Sequence, residues 1–321
     1  MTRPSACIIS RVMTIDLPWY AQWLEHHERL GFSHFHLHYC DDVHLPLEKV
    51  LGYFPGDKVT VTKLPKRLAE IDLIRDIPRD FDADYVLYID SDEFLILPEG
   101  EDVGTYLAGH PDDEQFRFRW RMCVSDKPVS LSLAEQAKKT PVYQVVQYKS
   151  MTRRDLLAGV GDTHDPILRS PLSSPPHEEE GAYLLHFASR GLIDPYLRAR
   201  EQGLNNNQAG DSEKLIHFMD PSVDRIEVAR IPKRVLAALG EVQCGNPRET
   251  VSLMPLSSAG TDFSLLGRLV SPQEREIFSK RWEDLKQADL FRGFSIKAQP
   301  KYEIWQFLNG LEKKTISLTP R

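Results

Sequence analysis

The chain has 321 residues, 41% hydrophobic and 27% charged, which excludes wholesale disorder and leaves room for one large α/β domain with an appendage, or two modest domains. Forty Lys and Arg against 47 Asp and Glu give a formal charge of −7, which argues against a dedicated nucleic-acid binder. Cys7, Cys40, Cys123 and Cys244 lie far apart with no C-x-x-C pair, so reduced thiols are expected rather than a disulfide framework or a zinc cluster.

In chain order, residues 6–12 read as a buried strand. Tyr20, Trp23, Leu24, His27 and Leu30 share one face of a helix over 17–30, and Gly31 stops it. Residues 34–39 alternate like a strand, 45–54 suit a short helix ending before Pro55, and 58–64 form the next strand. A helix over 67–81 is interrupted by Pro78, and 85–89 is a compact apolar strand. The Ser173-Ser174-Pro175-Pro176 string is a loop, 178–180 a solvated charge run, and 182–187 a strand. A helix opens near Asp194-Pro195, and two more are expected over 230–239 and 271–285. No stretch approaches the roughly 18 apolar residues of a membrane span. The apolar run at 6–9 is too short for a signal-peptide core. A soluble cytoplasmic protein is expected, with peripheral membrane association left open.

The ten residues 85–94, YVLYIDSDEF, run a buried strand straight into Asp90, Ser91, Asp92 and Glu93. Open α/β sheets bind ligands at the carboxyl ends of their strands. Like charges packed this closely repel, so such a cluster points to a balancing cation. Carboxylates at i and i+2 suit a divalent ion that also takes phosphate oxygens, Mn²⁺ or Mg²⁺, with Glu93 supporting the site. His34, His36 and His38 alternate on a strand at a spacing of ~7 Å, too wide for one tetrahedral site, so packing roles are expected there and for His26 and His27.

The string Asp90-Ser91-Asp92-Glu93-Phe94 resembles the Asp-x-Asp-Glu-Phe signature of family-2-like bacterial glycosyltransferases with the GT-A fold. Pro18, Trp19, Tyr20, Trp23 and His27, then the run from Leu30 to Phe35, are similar to that family's first helix and second strand. Phe118, Trp120 and Arg121, then Lys149-Ser150 with Arg153 and His164, and finally Leu185-His186-Phe187 with Arg190, agree in order. The likeness spans residues 6–205. It departs at Thr14-Ile15-Asp16, where the family carries Lys-Asn-Glu, and at His38-Tyr39-Cys40, where it carries Tyr-Asp-Asn.

The resemblance implies a GT-A α/β domain over 1–220, a Rossmann-like mixed sheet flanked by helices, followed by a mainly helical extension over 221–321. It implies a metal-dependent sugar transfer from a nucleotide-diphosphate donor to a hydroxyl acceptor, a glycan or a lipid-linked sugar. Asp90 and Asp92 are the expected metal ligands, joined by a later histidine. His186, at a strand end, is preferred over His164 in the 162–165 loop. Arg11, Asp41, Ser91, Lys149 and Arg190 are the candidates to bind the donor. An inverting enzyme needs a base, and Asp126 and Asp165 are both candidates.

Other readings compete. A phosphohydrolase of the haloacid-dehalogenase type needs Thr or Val where Phe94 stands, and a nucleotidyltransferase needs a Gly-rich loop that 10–16 lacks. A non-catalytic sugar- or nucleotide-binding protein with a vestigial site stays open.

Overall fold

The computed structural model describes residues 3–39, 51–52, 56–63, 82–124, 142–160, 164–179 and 181–190, with Leu133 and Leu269. The chain divides into two compact units. Met1–Met122, Val146–His186 and Ser252–Gly260 make the first; Cys123–Val145, Phe187–Val251 and Thr261–Arg321 make the second. Most of the described residues belong to the first. The helices expected at 67–81, near 194, at 230–239 and at 271–285 lie outside the described residues, and of 45–54 only 51–52 lies within them. The division at 220 lies outside them too.

Strand β1 (Ala6–Val12) sits between two parallel neighbours, β2 (His34–Tyr39) and β4 (Tyr85–Tyr88). Its unbroken apolar start, Ala-Cys-Ile-Ile, is what a parallel strand covered on both faces requires. Strand β3 (Val59–Lys63) pairs with β2 at the sheet's edge, and its Val-Thr alternation suits that half-exposed place. Cys7 and Cys123 are buried and in no disulfide, and burial pushes Cys7 up to about 12.

Helix α1 (Leu17–Arg29) starts with Pro18 in its first turn and ends where Gly31 takes a φ of 88°. All five residues of the expected face are buried, and Trp19 and His26 are buried as well. Sequence patterning left α2 (Val103–Gly109) unread. It is short and Gly-containing, and what fixes it is a cap: Asp102 Oδ1 accepts the Thr105 N–H at 2.6 Å. A backbone bond of 2.8 Å from Val103 N–H to Leu30 O ties α2 to the end of α1.

Strands β5 (Glu93–Ile96), β6 (Gln115–Val124), β7 (Val142–Arg153) and β10 (Tyr183–Ser189) complete an eight-stranded mixed sheet, ordered β3-β2-β1-β4-β7-β6-β10-β5. Residues 89–92 alone join β4 to β5, yet three strands separate the two in that order. A turn this short spans well under the roughly 19 Å that four flat strand spacings need, so the sheet curls back on itself. The remaining strands, β8 (Leu157–Val160) and β9 (Pro166–Leu168), form a separate antiparallel pair. Among the described residues no helix is long and apolar enough to cross a membrane.

Candidate functional site

The β4–β5 turn carries Asp90, Ser91 and Asp92, and hydrogen bonds close it in both directions. The Glu93 N–H reaches Asp90 O at 3.1 Å, and Glu93 Oε2 accepts the Asp90 N–H at 3.0 Å. Glu93 is therefore the clasp of the turn. Helix α1 fixes the strand that follows. Trp23 Nε1 donates to Glu93 O at 2.8 Å, His26 Nε2 donates to Leu95 O at 2.7 Å, and His27 Nε2 accepts the Leu95 N–H at 3.2 Å. His27 Nδ1 then donates to Trp23 O, which sets its tautomer. Burial holds His26 down at about 4 and His27 well below the ordinary histidine value.

Strand register brings two more groups to the turn. On β10, His186 lies directly opposite Glu93 in the antiparallel ladder with β5. Its Nε2 is 3.4 Å from Asp92 Oδ2. Burial pulls the His186 imidazolium down, but the carboxylate of Asp92, then those of Glu93 and Asp90, outweigh it, and the net shift is upward. On β7, Lys149 stands two residues from Met151, the partner of Leu87. Lys149 is 1% exposed; its Nζ donates to Asp90 Oδ2 at 2.9 Å and lies 3.7 Å from Glu93 Oε1. Tyr88 and Trp120 offer ring faces to the same ammonium at 5.3 and 5.8 Å.

The electrostatics follow from these distances. Desolvation opposes the Lys149 charge, but Asp90 and Glu93 more than offset it and raise its pKa. Burial likewise works against the Asp90 anion, yet Lys149, with help from Arg11, leaves its carboxyl below the usual range. Glu93 is fully buried, and desolvation overrides Lys149 to push it up to about 8. At neutral pH the turn thus holds an anionic Asp90 beside a protonated Glu93.

Trp120 lies between the two candidate histidines, its ring 4.5 Å from that of His186 and 5.1 Å from that of His164. His164 Nδ1 donates to Tyr148 O at 2.7 Å. Its neighbour Asp165 accepts the Tyr148 hydroxyl at 2.9 Å and sits 3.6 Å from Arg117, with a half-exposed side chain. Ser91 is buried in the turn, and Arg11 stands near the end of β1. Arg190 is fully buried and belongs to the second unit. Asp41 and Asp126 lie outside the described residues.

Two readings of the sequence need adjusting. Residues 178–180 are not simply a solvated run: Glu178 receives Arg119 at 2.7 Å, and Glu179 Oε1 is buried. The rings of His34 and His36 lean together to 4.4 Å rather than keeping the strand repeat.

Two aspartate carboxyls with an imidazole alongside are donor types suited to Mn²⁺ or Mg²⁺. Two buried atoms at the turn, Glu93 Oε1 and His186 Nδ1, have no hydrogen-bond partner among the described residues. The donor types suit such an ion, but among the described residues the ligand atoms of Asp90, Asp92 and His186 do not gather into a metal-holding group, and Lys149 takes one oxygen of Asp90.

No protein-family model and no curated protein matches the chain. Among solved structures it is similar to S. aureus TarS 1-349 in complex with UDP, at 11% identity and a TM-score of 0.37, over 88% of this chain and 92% of that one. It is similar to the mannosyltransferase PcManGT from Pyrobaculum calidifontis in complex with GDP-Man and Mn²⁺, at 10% identity and a TM-score of 0.38, over 96% and 85%. HddC from Yersinia pseudotuberculosis aligns at 11% identity and a TM-score of 0.33, over 56% and 92%. All three likenesses are distant.

Proposed function

We propose that the protein is a metal-dependent glycosyltransferase that moves a sugar from a nucleotide-diphosphate donor to a hydroxyl acceptor, a glycan or lipid-linked sugar, at the cytoplasmic side of surface-glycan assembly. Residues 1–220 would be its catalytic domain and 221–321 a helical extension. The observation that carries this reading is the closed acidic turn at the end of β4, with Lys149 and His186 beside it.

On this reading Asp90 and Asp92 hold Mn²⁺ or Mg²⁺, with His186 as the third ligand in preference to His164. The ion would offset the charge that grows on the departing diphosphate. Lys149 keeps Asp90 ionised and in place, and Glu93 keeps the turn closed. Arg11 and Ser91 are the candidates near the turn to bind the donor, and the sequence candidates Asp41 and Arg190 are tested by substitution in the same binding assay. Asp165 is the candidate base, with Asp126 as the other, and the Tyr148 hydroxyl orients the Asp165 carboxylate.

The Lys149–Asp90 bond also suits a binding protein that takes no ion there. Calorimetry with uridine, guanosine and thymidine diphosphate sugars, with and without Mn²⁺, separates the two. Metal-dependent binding of one donor, lost in Asp92→Ala, is the expected result. Binding of no donor defeats the transferase reading, and binding indifferent to Mn²⁺ favours the alternative.

A further inference from the structure

A second cluster of ligating side chains lies at the C-terminal end of α2. His110 caps that helix, its N–H bonded to Leu107 O at 3.1 Å. His177 comes from a distant stretch and is fixed against β6 by two backbone bonds. Its N–H reaches Gln115 O at 2.7 Å, and its carbonyl accepts the Arg117 N–H at 2.8 Å. Glu179 follows two residues later. One donor atom from each of His110, His177 and Glu179 lies within 4.8 Å of the other two. The two imidazole centroids are 4.1 Å apart, and the rings of Tyr106 and Phe116 pack against both.

Asp113 orients the histidines. Its Oδ2 is 3.0 Å from His177 Nδ1 and 3.5 Å from His110 Nδ1. A carboxylate only accepts, so the hydrogen of a neutral His177 sits on Nδ1 and the lone pair on Nε2. That Nε2 is buried, has no hydrogen-bond partner among the described residues, and stands 3.9 Å from Glu179 Oε2. Glu179 Oε1 is also buried and has no such partner, while the Tyr106 hydroxyl donates to the Glu179 carboxylate. A lone pair facing a carboxylate is repulsive unless a proton or a cation lies between them. A carboxylate on the far nitrogen of a ligand histidine is the usual outer-shell arrangement of zinc sites.

We infer that His110, His177 and Glu179 bind a divalent transition-metal ion, zinc by their donor set, with Asp113 holding the imidazoles and a water in the fourth position. Two nitrogens and one carboxylate oxygen favour Zn²⁺ over Mg²⁺ and Ca²⁺, which take oxygen. The four side chains are 22–31% exposed, while His177 Nε2 and Glu179 Oε1 are turned inward. The ion would cross-link the end of α2 to the 171–179 segment. This site is independent of the acidic turn and of the sugar-transfer reading.

The rival account is a protonated His177 bridging Asp113 and Glu179 with no metal. Titrating the metal-freed full chain with Zn²⁺ alone decides between them, read by calorimetry and by the thermal midpoint. An Asp92→Asn background removes competition from the acidic turn. We expect one zinc per chain in that background and a midpoint that rises with zinc concentration. His177→Ala should abolish that zinc. Asp113→Asn, which preserves packing, should weaken it by roughly 10- to 100-fold. Absence of zinc binding overturns the inference, as does zinc binding that neither substitution changes. Should His177→Ala fail to fold, Asp113→Asn alone carries the decision.

Discussion

His26 gives the sharpest quantitative expectation. It is 3% exposed, donates from Nε2 to Leu95 O, and is held at about 4 against an ordinary value near 6.5. A histidine with a depressed folded pKa takes up its proton only on unfolding, so acid stabilises the unfolded chain. The loss begins as pH falls through 6.5 and is complete near 4. At pH 5 one such group costs about 2 kcal/mol relative to pH 7.5, a large share of a typical total of roughly 5–15 kcal/mol. Other groups titrate nearby with either sign. His27 and His36 act like His26, whereas Glu93 and His186, whose folded pKa values are raised, favour the fold at lower pH. The raw pH profile is therefore a mixture, and a difference isolates one proton. In His26→Gln the amide nitrogen reaches the Leu95 carbonyl but does not titrate. Urea unfolding, followed by fluorescence of buried Trp19 and Trp23, gives ΔG for both proteins at pH 7.5 and 5.0. We expect His26→Gln to gain about 2 kcal/mol on wild type between those two pH values. A difference unchanged with pH, within about 0.5 kcal/mol, refutes a neutral His26.

Lys149→Met keeps the length of the stem but strips Asp90 of its cation, and should destabilise the chain by about 3–5 kcal/mol at pH 7 in chemical denaturation. Because Asp90 is depressed in the fold, that deficit should shrink as pH drops below about 4 and the carboxyl protonates. His186→Ala should weaken Mn²⁺ by roughly 10- to 100-fold in calorimetry; if instead His164→Ala does so and His186→Ala does not, the loop histidine is the ligand. On the proposed function, Mn²⁺ and the anionic donor should each tighten the other's binding by the same factor, and independent affinities would count against a shared site.

The parallel half of the sheet was legible because period and burial coincide there. Strand β1 is central and reads as an apolar run, while α1 shows its face through Trp23, Leu24 and His27. The acidic turn was legible for the same reason, since the apolar strand stops abruptly at Asp90. Its wiring was not. Strand β5 pairs with β10 rather than with its sequence neighbour β4, a choice made by long-range register that periodicity does not encode. That register set His186 opposite Glu93, and a pair of backbone bonds to β6 turned His177 toward His110. The His177-x-Glu179 spacing was the one local signal for that second cluster, hidden beside a run that reads as solvent-facing charge.

The histidines of α1 and the acidic turn are one mechanical unit. Trp23 and His26 bond the carbonyls of Glu93 and Leu95, and His27 takes the Leu95 N–H, so the first residues of β5 are gripped from one side. The Glu93 side chain then reaches back to the Asp90 amide, and Lys149 pins Asp90 from β7. Asp90 and Glu93 thus take their places from rigid elements, which fixes the position of the charged Asp90 carboxylate in a buried turn. Apolar aromatic packing around α1 supplies the rigidity, and it does so by burying imidazoles that must stay neutral. The acid sensitivity of His26 and His27 is therefore a sensitivity of the turn's own foundation. Protonating His27 at Nε2 removes the acceptor of the Leu95 N–H, whereas a protonated His26 keeps its Nε2 donor but places an unpaired charge in the core. In either case the footing of β5 and the geometry offered by Asp90 and Asp92 loosen.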